Sequence, residues 1–251
     1  MNKKILLGFI LFLIGLAGVA SMLTMEMPIP EEAKAILEQQ FTPEQIKFVL
    51  LLNPTILVLI MVVVGTIFYD KAGLKVPIIE RAIGLQNHEI SVTEIFKFGV
   101  IGGVLSGVLI MIVSLIFTPM LPAEFQELGE SMELSLAARF LYGGLTEEIM
   151  MRFGFMSFIV WLFSKIFKEL KPIVYWLGIA IAAVVFALGH FPIAFQAVEN
   201  PSTELLTYIL IGNTIGGLIF GWLYWKKGLE AAFVAHIFAH VVMVLVEPLV
   251  G

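Results

Sequence analysis

Residues 48–69 read FVLLLNPTILVLIMVVVGTIFY, twenty-two positions without a single charged side chain. A helix needs roughly 20 mostly apolar residues to cross the hydrocarbon core of a bilayer, so this stretch alone predicts a membrane span. Working outward, predominantly apolar runs of similar length recur at 5–23, 98–120, 134–163, 173–195, 205–225 and 229–246. The pattern predicts an all-α fold, a polytopic transmembrane helix bundle of about seven spans, or eight if one of the longer runs is broken. The whole chain of 251 residues agrees: it is 59% hydrophobic, only 14% charged, and has a mean hydropathy of +0.99, well outside the range of soluble domains.

The first run follows Lys3 and Lys4, as a signal peptide would, but Ala20, Ser21 and Met22 make a poor cleavage site, and the run reads as a retained span. After it, Pro30, Glu31 and Glu32 form a helix-start pattern, and Ala33, Ile36, Leu37 and Phe41 recur at helical spacing. That predicts an amphipathic interfacial helix on the outer surface. The segment 70–94 is the other long connection, of mixed charge, with Gly73, Pro77 and Gly84 as breakers. The chain reads as one integral membrane domain over 1–251, with N-terminal spans and loops in 1–133 and the unusual polar residues in the helices of 134–247.

Lys and Arg concentrate in segments that stay in the cytoplasm. With the N-terminus inside, the inner segments hold Lys3, Lys4, Lys71, Lys75, Arg81, Lys97, Lys165, Lys168, Lys171, Lys226 and Lys227, and the outer ones Lys34 and Lys47. The segment 123–133 then lies outside with Glu124, Glu127, Glu130 and Glu133. A multi-pass protein of the cell membrane with a cytoplasmic N-terminus is expected. No basic patch with interleaved aromatics exists, so nucleic acid is not an expected partner. With no cysteine in the chain, disulfides, thiolate nucleophiles and thiolate metal sites are excluded.

A charge at the centre of a spanning helix costs at least about 2.5–3.5 kcal/mol, so such residues face a protein interior and commonly serve function. Glu147, Glu148 and Arg152 fall inside the fourth run, His190 late in the fifth, and His236 and His240 inside the seventh. Glu148 and Arg152, at i,i+4, are spaced for an ion pair that clamps the helix. Glu147, about 100° away on an α-helix, is left to point elsewhere. His236 and His240, also at i,i+4, share one face. Arg139 reads as a residue snorkelling at the outer end of its helix, and His88 as a solvated loop residue.

Amide hydrolysis needs a base to activate water and donors to hold the developing oxyanion. Glu147 in apolar surroundings suits the base, His190 the orientation of water, and His236 with His240 the oxyanion donors, provided that three helices converge. Intramembrane carboxylates and histidines also mark ion and proton pathways. A small ion- or proton-coupled transporter or a catalytically silent scaffold is therefore the alternative, although no internal repeat is visible.

The order of motifs is distinctive: Glu147-Glu148-Ile149-Met150-Met151-Arg152 reads EExxxR, Phe186 to His190 reads FxxxH, and His236 to His240 reads HxxxH. On successive late membrane helices these resemble the CAAX protease and bacteriocin-processing (CPBP) family, which includes the Ras-converting CAAX endopeptidases. The resemblance covers roughly Ala137 to Met243. It implies a glutamate-dependent intramembrane endopeptidase in which Glu147 and His190 activate water, His236 lies at the oxyanion, and Glu148, Arg152 and Phe186 support the site. The position of His240 is often Asn in the family. The substrate class implied is a membrane-associated peptide or lipidated protein. No cofactor is expected. Three histidines and a glutamate are nonetheless a donor set that zinc accepts, and a metal, if bound, would draw on His190, His236, His240 and Glu147. No HExxH helix is present. Aspartyl and rhomboid-type proteases are excluded, because Asp70 is the only aspartate and no GxSG tetrapeptide occurs.

Overall fold

The computed structural model describes residues 2–25, 29, 31–131 and 135–250, and among these it is all helix and turn, with no strand. Seven helices are long and apolar enough to cross a membrane: Lys3–Thr24, Pro43–Phe68, Val92–Met120, Ala138–Phe167, Pro172–Ala197, Thr203–Lys227 and Leu229–Val246. Among the described residues the expected count of seven therefore holds, and no eighth span arises. Two runs are interrupted without being split, by a turn at Leu51 and by a turn at Gly189 and His190.

Several boundaries move outward because side chains cap the helices. Thr42 and Gln45 form a capping box ahead of Pro43, which starts the second span five residues before the apolar run. Ser91 accepts from Glu94 N and starts the third at Val92. The expected helix after the first span is present as Glu31–Glu38, with Ile36 59% exposed. Its expected start at Pro30, together with Glu133 and Leu134, lies outside the described residues.

Lipid-facing surfaces are apolar, as a bilayer requires. Leu52, Ile56, Leu59, Ile60, Val63 and Ile67 of the second span, and Ile101, Leu105, Val108, Ile112 and Leu115 of the third, are all exposed. Helices in lipid gain little from burying more hydrocarbon and associate by close packing of small residues instead. The third and seventh spans show this. Gly99, Gly103 and Gly107, spaced at i,i+4,i+8, lie against Val234, Phe238 and Val242, and a Cβ at any of them would come within 2.6 Å of the facing Cβ. This stripe fixes the helix that carries His236 and His240.

The end of the bundle bearing the basic residues is closed by polar contacts that composition did not reveal. Glu80, in the short helix Pro77–Ala82, is buried and accepts from Tyr69 Oη at 2.9 Å and Val76 N at 2.9 Å, and its Oε2 lies 2.7 Å from His88 Nε2. Burial and the adjacent Glu80 push the Tyr69 hydroxyl's pKa up, so it remains a donor. His88 is therefore an internal partner of Glu80 and not the solvated residue its loop position suggested. Glu230, in the first turn of the seventh span, accepts from Ile78 N at 2.8 Å and Ile79 N at 3.1 Å. It thereby caps the Pro77–Ala82 helix from another element.

Candidate active site

The fourth span carries the EExxxR residues and is wound as a π-helix over Ala138–Glu147 and again over Ile149–Met156. Such winding is rare and concentrates at functional sites. Two hydroxyls sit with it: Thr146 donates to Leu141 O at 3.3 Å and to Gly15 O of the first span at 3.0 Å, and Ser157 donates to Arg152 O at 3.4 Å. In both, the intrahelical acceptor lies five residues back, matching the wider turn. The α-helical angle expected between Glu147 and Glu148 thus does not apply. The two carboxylates nevertheless diverge: the Glu148 side chain is fully buried, whereas that of Glu147 is 17% exposed and faces a cavity.

Glu148 does more than clamp its own helix. Its Oε2 lies 3.1 Å from Arg152 Nε, and its Oε1 lies 2.9 Å from His236 Nδ1 of the seventh span. The Arg152 nitrogens are close to the carboxylate but not aimed for a hydrogen bond, so the pairing is Coulombic. The guanidinium also lies over two rings, 4.9 Å from the Phe186 centroid and 5.6 Å from that of Phe220.

His236 stands between the two glutamates, its Nε2 3.9 Å from Glu147 Oε2. Phe220 stacks on it at 4.6 Å, Phe186 meets it edge-on at 6.1 Å, and His240 stacks at 5.0 Å. A proton at Nε2, on the Glu147 side, requires the Glu148–His236 pair to hold two protons, either as carboxylate with imidazolium or as carboxylic acid with neutral ring. His240 Nδ1 is buried without a hydrogen-bond partner. Its Nε2 lies against Gly143, where a Cβ would come within 2.7 Å.

His190 lies in the turn between helices Pro172–Leu188 and Phe191–Ala197, and its Nδ1 is 2.9 Å from Phe186 O. A carbonyl only accepts, so Nδ1 carries the hydrogen, and neutral His190 presents Nε2 as an acceptor. The fifth span starts at Pro172 and is interrupted by this turn.

Glu147, His190, His236, His240 and Phe186 all line one cavity of about 480 Å³, while Glu148 and Arg152 stand behind its wall. Three separate spans thus converge, as the motif reading required. Two further polar lining residues escaped that reading. Arg139, at the start of the fourth span, also lines this cavity, and Asn213 of the sixth span lines it while donating to Ile209 O at 2.9 Å. Neither falls in a motif, and the only sequence signal for Asn213 is a lone amide within a hydrophobic run. Among the described residues, no group of three or more His, Asp or Glu side chains is placed to hold a metal ion, so the conditional ligand set of His190, His236, His240 and Glu147 is not gathered as one.

No curated protein and no solved structure matches the chain. Residues 130–242, which contain every motif named above, match a family model described as Rce1-like, type II CAAX prenyl endopeptidase Rce1-like. Over those residues, which include all the candidate site motifs, the chain is similar to the type II CAAX prenyl endopeptidases.

Proposed function

We propose that the protein is a glutamate-type intramembrane endopeptidase acting on a membrane-associated peptide or lipidated protein, a prenylated CAAX tail being one candidate. The observation that carries this reading is the partition of the two carboxylates. Glu147 faces the cavity beside His190 and the paired histidines, and Glu148 is fully buried against Arg152 and His236.

In the proposed reaction, water bound between Glu147 and His190 Nε2 gives a proton to the Glu147 carboxylate, and its oxygen attacks the scissile carbonyl carbon. His236 Nε2–H and a ring N–H of His240 donate to the oxyanion that forms. Collapse of this intermediate breaks the C–N bond, and the proton held by Glu147 passes to the departing amine. Glu148 and Arg152 act through His236, holding its ring and its protonation. We place the protein in the cell membrane, multi-pass, with the N-terminus in the cytoplasm and the motif-bearing helices as its catalytic half.

Purified protein in detergent, incubated with a tagged membrane-anchored peptide, should yield two fragments whose masses sum to the peptide plus one water. An intact peptide across a panel of prenylated and unprenylated anchors would contradict the proposal.

A further inference from the structure

The cavity belongs to one end of the bundle. Its wall includes Met22 and Met25 at the close of the first span, Phe125 between the third and fourth, and Tyr208 early in the sixth. No lining residue comes from the segments that join spans at the other end. That other end is filled by the Glu80 and Glu230 contacts, and above them Tyr224 and Ser157, both fully buried, meet at 3.0 Å.

Charge divides along the same axis. The segments and span ends on the cavity side carry twelve acidic and three basic residues. Those on the opposite side carry six acidic and eleven basic, leaving only Glu147, Glu148 and Arg152 between. Because the Lys and Arg bias sets the orientation of a polytopic protein, the cavity end is the one that faces away from the cytoplasm.

We propose that the candidate active site opens on the outer face of the membrane and takes a membrane-tethered peptide whose scissile bond lies on that side. This rests on the peptidase reading for the word scissile, but the side of the opening stands on geometry and charge alone. A peptide held wholly in the cytoplasmic leaflet would have to cross the closed, basic end to reach Glu147.

The absence of cysteine makes single-cysteine labelling clean. Asn200→Cys on the cavity side and Glu169→Cys on the basic side are both exposed positions outside the site. In intact cells, a membrane-impermeant maleimide should label Asn200→Cys, and should reach Glu169→Cys only after permeabilisation. The reverse pattern overturns the proposal.

In parallel, one cleavable peptide is fused to anchors that present it outside or inside, each co-expressed with wild type or Glu147→Ala. Cutting of the outside fusion alone, lost with Glu147→Ala, is expected. Cutting of the inside fusion overturns the proposal. If neither fusion is cut, the peptidase reading fails, and the labelling still decides the side.

Discussion

Glu148 of the fourth span and His236 of the seventh are joined across the bundle at 2.9 Å, from Oε1 to Nδ1. The contact ties the helix bearing Glu147 to the helix bearing both paired histidines. It also makes the proton at His236 Nε2 depend on a residue behind the cavity wall. Glu148→Gln keeps a polar group against Nδ1 and can donate to it, which favours the tautomer with a proton on Nε2. Glu148→Ala removes the partner of both His236 and the buried Arg152. Breaking a buried ion pair from one side costs about 3–5 kcal/mol. Denaturant titration in detergent should therefore show Glu148→Ala far less stable than Glu148→Gln, with the Gln variant keeping more peptidase activity. Equal loss in both would mean that the carboxylate itself is required.

Gly143 lies against His240, with room for no side chain, since a Cβ would come within 2.7 Å of Nε2. Gly143→Ala should displace the ring, and misplacement of a catalytic group by about 1 Å can lower the rate by about 100-fold. The check is kcat of the purified variant beside its thermal midpoint. A normal rate would remove His240 from the mechanism.

Glu80 accepts two hydrogen bonds and pairs with His88 at the closed end of the bundle. Glu80→Ala leaves Tyr69 Oη and Val76 N without their acceptor, at about 1–3 kcal/mol for each stranded group. Unfolding should move to lower denaturant while kcat of the folded fraction holds. A large fall in kcat with unchanged stability would assign this end a part in catalysis.

The spans and the candidate site residues were legible in the sequence for one physical reason: a membrane interior makes charge expensive, so apolar length marks the helices and isolated polar residues mark the cavity they share. Glu147, His190 and His236 stood out on this ground before any contact was known. The same logic failed where it had no purchase. His88 and Glu80 lie outside the spans, where polar residues are ordinary, and only the chain path shows that they meet. Arg139 sits near a span end, where snorkelling explains any basic residue. The π winding around Glu147 is accompanied by tertiary contacts such as Thr146 with Gly15 O, which no local propensity encodes.

Glu147, His190, His236 and His240 are a donor set that zinc accepts, but the described side chains are not gathered for one ion, and Glu148 already holds His236 Nδ1. Cleavage should proceed unchanged after exhaustive chelation and dialysis, measured against the same sample with zinc restored. Loss on chelation with recovery on zinc would make the histidines ligands instead of proton carriers and oxyanion donors.

The most direct measurement is the single-turnover rate of peptide cleavage by Glu147→Gln, which keeps the side chain's shape and removes its basicity. A fall of about 10²–10⁴-fold is expected, the usual contribution of a general base, with peptide binding and thermal midpoint close to wild type. A Glu147→Gln protein that cuts as fast as wild type would contradict that role.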